Sequence, residues 1–336
     1  MSITVYGAGA IGGIAGARVA LAGEDVTFVD KVSEHVERIN QEGLLVAGIN
    51  NDVRVKARAI EPAQLEGELD LVFLCVKAQD TAAAMETLLP HIGPNSTVVS
   101  LQNGLNEEVI AGYIGLQRTI GCLVDWGGDY IEPGHIQYGG QGPMRVGELD
   151  GSVTERLTRV CGILNHIAPT DITDNISGYL WSKIIWGCFY VGNALGTSTT
   201  VAMLRERRNR PILLALFREG VEVAEAAGIT LEALTEHAFD PPRLVRAAPQ
   251  DAIPVFDQMA DCFKDHVKVY SGPWRDVAVR KRPTEVDYII GPIVEKGKKY
   301  NVPTPLNDRL VELVKEVERG QRPQDDANLI ELEALI

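Results

Sequence analysis

The chain begins with a short β-rich run, SITVY over Ser2 to Tyr6, and after a cluster of glycines enters an alanine-rich amphipathic stretch, Ile11 to Ala22, that stops at Gly23. This change of period across glycines predicts strand, tight turn and helix. DVTFVD then predicts a second strand, and KVSEHVERINQEG a second helix stopped by Gly43. Two later runs, LDLVFLCV and STVVSL, are apolar on both sides, as strands of a parallel sheet covered by helices on its two faces are. The alternation predicts a doubly wound, Rossmann-type α/β domain with a parallel sheet.

After about residue 115 the pattern changes to glycine-rich stretches with β-like pieces, TIGCLVDWGG, GHIQYGGQG and MRVGE, followed by a helix near Val153 to His166. From about Ile176 onward nearly every segment has helical periodicity, from GYLWSKIIWGCFYVGNAL to LNDRLVELVKEVERG. The expected organisation is therefore a Rossmann-type domain over 1–172 and an all-helical domain over 173–336. The boundary falls near APTDITDNIS, whose Pro, Asp, Asn and Ser content favours a linker and an N-cap. The acidic ending, RPQDDANLIELEALI, reads as a loosely packed tail.

With 336 residues and 45% hydrophobic content, the chain can bury a large core. A net charge of −14 argues against nucleic acid and anionic membranes as partners, because the summed field repels both. No apolar run approaches the roughly 20 residues that span a bilayer, and no basic leader region opens the chain, so neither a membrane anchor nor a signal peptide is expected. The five cysteines are widely spaced and mostly embedded in apolar runs, the pattern of reduced, buried thiols. A cytoplasmic location is the expectation. No metal-ligand spacing is present, and the six histidines read as ordinary loop or helix-end residues. The apolar helices of the second half suit a homodimer as well as they suit packing within one chain.

The glycine cluster carries the first chemistry. Gly7, Gly9 and Gly12 lie between a predicted strand and a predicted helix, the context in which GxGxxG becomes a dinucleotide cradle. The first glycine permits the turn, the second lets backbone approach a pyrophosphate, and the third lets helix and strand pack closely. Gly7, Ala8, Gly9, Ala10, Ile11 and Gly12 are the expected cofactor-binding loop, with helix N-terminal amides facing the anion. Asp30 closes the second strand, 18 residues after Gly12, where a carboxylate accepts from the adenosine ribose. It also repels a 2′-phosphate, so NAD is favoured over NADP, although the neighbouring Lys31 offers a cation that a 2′-phosphate would welcome.

Further chemistry stands at strand ends and on one apolar helix. Lys77 in VKAQDT and Asn103 in SLQNGLN each follow the C-terminal end of a predicted parallel strand, the edge where such sheets bind ligands. Lys183 interrupts the apolar segment WSKIIWG, either snorkelling to solvent or facing a cleft. Glu285 stands near the start of a later helix in PTEVDYIIGPIVEKGKKYNVPTP.

Taken in order, GAGAIGG, VKAQDT, SLQNGLN, the WSK helix and the PTEVDYIIGPIVEKGKKYNVPTP segment make the chain resemble the ketopantoate reductase family over nearly its whole length. The resemblance implies a Rossmann domain that binds a nicotinamide nucleotide, a helical domain that completes the cleft, and hydride transfer between the nicotinamide and a 2-oxo acid. Carried over by position, Lys183 would be the general acid, with Glu285 beside it holding it charged and reaching the cofactor. Asn103 would contact substrate or the nicotinamide ribose, Lys77 the cofactor, and Ser271 the substrate carboxylate. A proton donor meets the alkoxide that hydride addition creates, and a cationic lysine does this without a metal.

The chain departs from the family where its lysine helix usually carries asparagines, four and eight residues after the lysine. Gly187 and Val191 stand there, and Asn193, close by on another part of the turn, is the amide left to meet the substrate. Loss of those amides disfavours a hydroxylated substrate. Gly187 is expected to open space, and Trp186, Phe189 and Tyr190 are either apolar walls of the pocket or helix-packing core. The expected enzyme therefore interconverts a 2-hydroxy acid and a 2-oxo acid other than ketopantoate. Authentic ketopantoate reduction with NADPH is the alternative, and a dinucleotide sensor without turnover is the alternative of another class.

Overall fold

The computed structural model describes residues 2–49, 52–264 and 269–336, which form two compact units, one ending at Ile176 and the other running from Ser177. The first unit contains β1 (Ser2–Tyr6), α1 (Ala10–Leu21), β2 (Asp25–Val29), α2 (Ser33–Glu42), β3 (Leu44–Gly48), β4 (Val53–Val55), β5 (Arg58–Ile60), β6 (Leu71–Leu74), α3 (Thr81–Leu88) and β7 (Thr97–Ser100). It continues with α4 (Glu107–Ile114), β8 (Thr119–Val124), β9 (Gly127–Glu132), β10 (His135–Gly140), β11 (Met144–Glu148), α5 (Glu155–Leu164) and β12 (Thr170–Ile172).

Eight of these strands form one sheet in the order β12-β11-β8-β7-β6-β1-β2-β5. All neighbours are parallel except β8 and β11, so the doubly wound sheet carries an antiparallel step near one edge. The central strands β6, β7 and β8 are buried along their length, as their unbroken Val, Leu, Ile and Phe content requires. The chain leaves β1 toward β2 on one side and returns to β6 on the other. That reversal creates a crevice at the carboxyl ends of β1 and β6, where open α/β sheets take ligands. Helix α1 lies tight on the sheet because Gly16 has no side chain: a Cβ there would meet the Phe28 ring at 2.3 Å.

A second sheet, β4-β3-β10-β9, takes in the β-like GHIQYGGQG run as β10, while the pattern gave no sign that its strands form a separate sheet. Its β9–β10 hairpin packs on α1, where a Cβ on Gly128 would reach Ile14 Cδ1 at 2.3 Å and one on Gly13 would reach Ile136 Cγ1 at 2.9 Å.

The second unit is helical: α6 (Ile176–Asn193), whose first residue belongs to the first unit, α7 (Thr200–Arg205), α8 (Asn209–Ala226), α9 (Pro241–Arg246), α10 (Pro249–Phe263), α11 (Gly272–Ala278), α12 (Val286–Ile289), α13 (Gly291–Tyr300), α14 (Pro305–Glu318) and α15 (Ala327–Ile330). Helix α6 runs through its core, with Trp181, Ile184, Ile185, Trp186, Cys188, Phe189 and Val191 all buried. Trp186 stacks on His237 at 5.2 Å and lies 5.0 Å from Phe239, so it is packing core and no pocket wall. Burial pushes the Cys188 thiol up, which leaves it without nucleophilic character at neutral pH.

The expected loose tail is instead firmly attached. Asp326 accepts from Thr197 N at 2.9 Å, Ser198 N at 3.1 Å and Ser198 Oγ at 2.7 Å. Gln324 and Asn328 donate to the carbonyls of Ala194 and Leu195, both at 3.0 Å. These bonds close the C-terminal end of α6, and Leu329 and Leu332 complete the anchor by burial. Helix ends need such partners for their last carbonyls, and sequence periodicity does not reveal who supplies them. Asp326→Ala is expected to destabilise the helical unit by about 1–2 kcal/mol, measured as a lower unfolding midpoint in denaturant. An unchanged midpoint would show that the tail adds nothing.

Candidate active site

Between β1 and α1 the glycine loop has the form that an anion cradle needs. Gly7 is left-handed at φ 97°, and a Cβ there would press on Val76 N at 2.9 Å. A Cβ on Gly12 would collide with Gly7 O at 2.0 Å. Gly9 differs: a Cβ there would project into open space, the room that a phosphate approaching backbone would need. It is the N-cap of α1, no side chain caps the helix, and its first turn carries no acid. Unclaimed amides at a helix start attract a diphosphate. The loop therefore fits a dinucleotide.

Asp30 stands one residue past β2 on the same edge. Its Oδ2 accepts from Ala8 N at 2.8 Å, and its Oδ1 accepts from Val32 N at 3.0 Å. The carboxylate thus shapes the glycine loop and the entry to α2, and each oxygen keeps a further lone pair for a ribose hydroxyl. Lys31 pairs with Asp80 at 3.4 Å, with both side chains largely in solvent.

The register places Tyr6 beside Leu74 and Leu74 beside Ser100, so the loops after β1, β6 and β7 emerge at one edge. Lys77 and Asn103 lie on the second and third of these loops, Lys77 half-buried and Asn103 exposed. A buried polar chain joins the two loops. Gln102 Nε2 donates to Val76 O at 2.9 Å and to Thr81 Oγ1 at 2.8 Å. Thr81 Oγ1 donates to Asn106 Oδ1 at 3.3 Å, and Asn106 Nδ2 donates to Asn103 O at 2.7 Å. The carbonyls next to Lys77 and of Asn103 are thereby fixed against one another. The motifs VKAQDT and SLQNGLN contain all three linking residues, Thr81, Gln102 and Asn106, which sequence reasoning passed over because neutral polar side chains carry no charge signature.

In the helical unit, Lys183 is the one charged side chain of α6. It is half-buried, and the other half-buried positions along the helix include Tyr179 and Tyr190, four residues before it and seven after, on the same stripe. Gly187 falls on that stripe too, but it does not open space. A Cβ there would meet Ile289 Cγ2 at 2.5 Å, so the segment that carries Glu285 packs directly on α6. Glu285 precedes α12 as its N-cap residue and is half-buried. Lys183 and Glu285 each lie one helical turn from the Gly187–Ile289 contact.

The Glu285 segment is held from the other side by α14. Thr284 N donates to Glu318 Oε1 at 2.7 Å, and Asp287 pairs with Lys315 at 2.5 Å. Glu219 of α8 in turn anchors the start of α14, accepting from the amides of Leu306 and Asn307, both at 2.9 Å. Burial raises the Glu219 pKa, an effect these amides oppose.

Asn193 and Ser271 were expected at the substrate, and both are 2% exposed. Asn193 donates to Ser198 O at 2.8 Å and accepts from Ser271 N at 3.2 Å. Ser271 donates to Tyr190 O at 2.9 Å and caps α11 by accepting from Trp274 N at 3.1 Å. The two form a structural knot that seats the start of α11 on the end of α6.

Residues 3–151 match the family model described as ketopantoate reductase PanE/ApbA, and residues 175–318 match its C-terminal counterpart. The chain belongs to the ketopantoate reductase family. A 2-dehydropantoate 2-reductase of Pyrococcus abyssi is 32% identical, with 94% of this chain and 97% of the relative aligned. One from Archaeoglobus fulgidus is 29% identical over 95% and 98% of the two chains. Among solved structures, a PanE/ApbA family ketopantoate reductase from Ralstonia eutropha superposes with a TM-score of 0.80 at 26% identity, covering 96% and 99%. The fold is also shared with a D-mandelate dehydrogenase solved with NADH and anilino(oxo)acetate, at a TM-score of 0.82 and 24% identity, covering 95% and 99%. The chain is accordingly an oxidoreductase that uses a nicotinamide cofactor.

Two substitutions test the geometry. Thr81→Val, close to isosteric, leaves buried partners unpaired and is expected to cost about 1–3 kcal/mol of stability in the first unit, with a raised KM for dinucleotide in steady-state assays. Gly187→Val is expected to push the Glu285 segment off α6 and lower kcat at least about tenfold, and unchanged kcat in the folded variant would show that this packing does not position the segment.

Proposed function

We propose that this enzyme interconverts a 2-oxo acid and a 2-hydroxy acid with NAD as its preferred cofactor, and that its substrate is less hydroxylated than ketopantoate. The observation that carries the reading is the position of Lys183, the one charged residue of α6, on a half-buried stripe of that helix, with the Glu285 segment packed on that stripe at Gly187.

When bound, the nicotinamide supplies or accepts the hydride. The loop from Gly7 to Gly12 binds the diphosphate with its backbone, and Asp30 meets the adenosine ribose. Lys77 reaches the cofactor, and Asn103 orients substrate or the nicotinamide ribose. Lys183 Nζ gives its proton to the substrate oxygen during reduction and recovers it during oxidation. Glu285 keeps that ammonium charged and in place, and extends toward the cofactor.

Three residues support the NAD preference: Asp30 at the end of β2, Glu34 on the first turn of α2, and Asp80, which offsets Lys31. Together they disfavour a further phosphate on the ribose. A cellular NAD pool kept largely oxidised makes hydroxy-acid oxidation the working direction. The altered substrate follows from Gly187 and Val191: neither offers an amide, Ile289 fills the room at Gly187, and Tyr179 and Tyr190 flank Lys183 along the helix. A stripe of this kind suits an apolar or aryl side chain and leaves a substrate hydroxyl without a partner. The D-mandelate dehydrogenase that shares the fold was solved with anilino(oxo)acetate, a phenyl-bearing oxamate, which supports an aryl group in the substrate of this scaffold.

Lys183→Ala is expected to reduce kcat at least about a hundredfold, while the dissociation constant for NADH measured by fluorescence stays within about twofold. Unchanged turnover would remove the lysine from the mechanism. In a panel of 2-oxo and 2-hydroxy acids assayed with both nucleotides, an apolar or aryl acid with NAD is expected to give the highest kcat/KM. Ketopantoate with NADPH outperforming the rest would overturn the substrate and cofactor preferences.

A further inference from the structure

His35 lies on α2 at 0% exposure, and both of its ring nitrogens are hydrogen-bonded. Gly134 N lies 2.9 Å from Nδ1, and Ala8 O lies 2.9 Å from Nε2. A backbone N–H only donates and a carbonyl only accepts. Nδ1 therefore presents its lone pair to Gly134, Nε2 carries the proton toward Ala8, and a single neutral tautomer satisfies both. The Tyr130 ring stands edge-on against the imidazole at 5.1 Å.

Ala8 is the residue between the first two glycines of the cofactor loop. Its N–H is bound by Asp30 and its carbonyl by His35, at 2.8 and 2.9 Å. Glycines on either side give this backbone unusual freedom, and ordering it costs more entropy than ordering other residues. External ties at both ends of one residue restrict the loop before any ligand arrives. The other partner of His35, Gly134, is the left-handed turn residue of the β9–β10 hairpin, at φ 76°. That hairpin also packs on α1 through Gly128 and Gly13. The second sheet thus touches the first two parts of the cradle, the helix directly and the loop through an imidazole.

We propose that His35 is a positioning residue for the dinucleotide: it couples the β9–β10 hairpin to the Ala8 carbonyl and holds the loop amides in their anion-binding orientation. The inference rests on the dinucleotide reading and adds to it a part played by a sheet that the reaction does not otherwise use. Packing alone does not require this residue, since Leu or Phe would fill a buried position. Donor and acceptor at fixed separation are what the two backbone groups demand.

Three variants separate the contacts. In His35→Gln the amide nitrogen replaces Nε2 as donor to Ala8, in His35→Asn the amide oxygen replaces Nδ1 as acceptor from Gly134, and His35→Leu keeps neither. The dissociation constant and KM for the preferred dinucleotide are expected to rise about tenfold in His35→Leu and His35→Asn, with kcat at saturation within about twofold. His35→Gln is expected to stay within about threefold of the unmodified enzyme, one net hydrogen bond being worth about a factor of ten. Folded His35→Leu and His35→Asn with unmodified dinucleotide affinity would overturn the proposal. Hydrogen exchange on the unmodified enzyme gives a test that needs no variant. Saturating dinucleotide is expected to slow exchange in the hairpin at Gly134 together with the glycine loop, and protection of the loop alone would contradict the coupling. If neither NAD nor NADP binds the unmodified chain, the dinucleotide reading fails and this inference with it; binding that His35 does not influence sinks only the inference.

Discussion

The closeness of α1 to the sheet is the constraint on which the first unit depends. Gly7 turns left-handed against Val76, Gly12 clears the Gly7 carbonyl, and Gly16 clears the Phe28 ring, each at a distance where one added carbon would collide. With the helix this close, its first amides stand directly at the carboxyl edge of β1, beside the loops of β6 and β7. A helix displaced by a single methyl layer would carry its positive end away from that edge, and the cradle would lose the backbone approach that recognition of a diphosphate requires. Asp30 and His35 then act on a loop that steric exclusion has already placed.

The helical unit solves a different problem, which is to hold the one charged side chain of α6, Lys183, at a fixed place on a largely buried helix. Helix α6 is buried on nearly every side by leucine, isoleucine and aromatic neighbours, so its rotation about its own axis is fixed and the half-buried stripe with Lys183 cannot turn away. Neighbouring segments lock both ends of the arrangement. The tail around Asp326 closes the C-terminal end of α6, and α14 fixes the Glu285 segment that rests on Gly187. Glu219 stabilises that helix in turn by answering its first amides. A reaction that needs a proton at one atom benefits from such rigidity, because misplacement by an ångström costs about a hundredfold in rate.

Much of this was legible in the sequence because the signals were local. The run from Ser2 to Asp30 contains strand, glycine turn, helix, strand and acid in one stretch, and α6 is a continuous apolar segment with one lysine. The elements that escaped are held by distant or backbone partners. β3 pairs with β10 across about ninety residues of chain, Leu45 opposite His135; β10 lies in the β-like GHIQYGGQG run, but its partner β3 is too short to stand out alone. His35 reads as an ordinary helix residue because its partners are an amide and a carbonyl, which leave no mark on residue type. The same holds for Asp326, whose amide partners turn an apparent loose tail into an anchor. Gly187 misled for the opposite reason: a missing side chain reads as space, and only the structure shows that Ile289 fills it.

The central claim is that this chain moves a hydride between a nicotinamide and the C2 carbon of a 2-oxo acid, with a protein-held proton completing the alcohol. Deuterium labelling tests it most directly: NADH carrying two deuterium atoms at C4, so that either face donates deuteride, is incubated with the enzyme and an aryl 2-oxo acid, and the product is analysed by mass spectrometry and proton NMR. The account predicts a 2-hydroxy acid with deuterium on C2, in amount equal to the cofactor oxidised. Cofactor that binds while every 2-oxo acid stays unreduced, or a product whose C2 hydrogen comes from water, would contradict it.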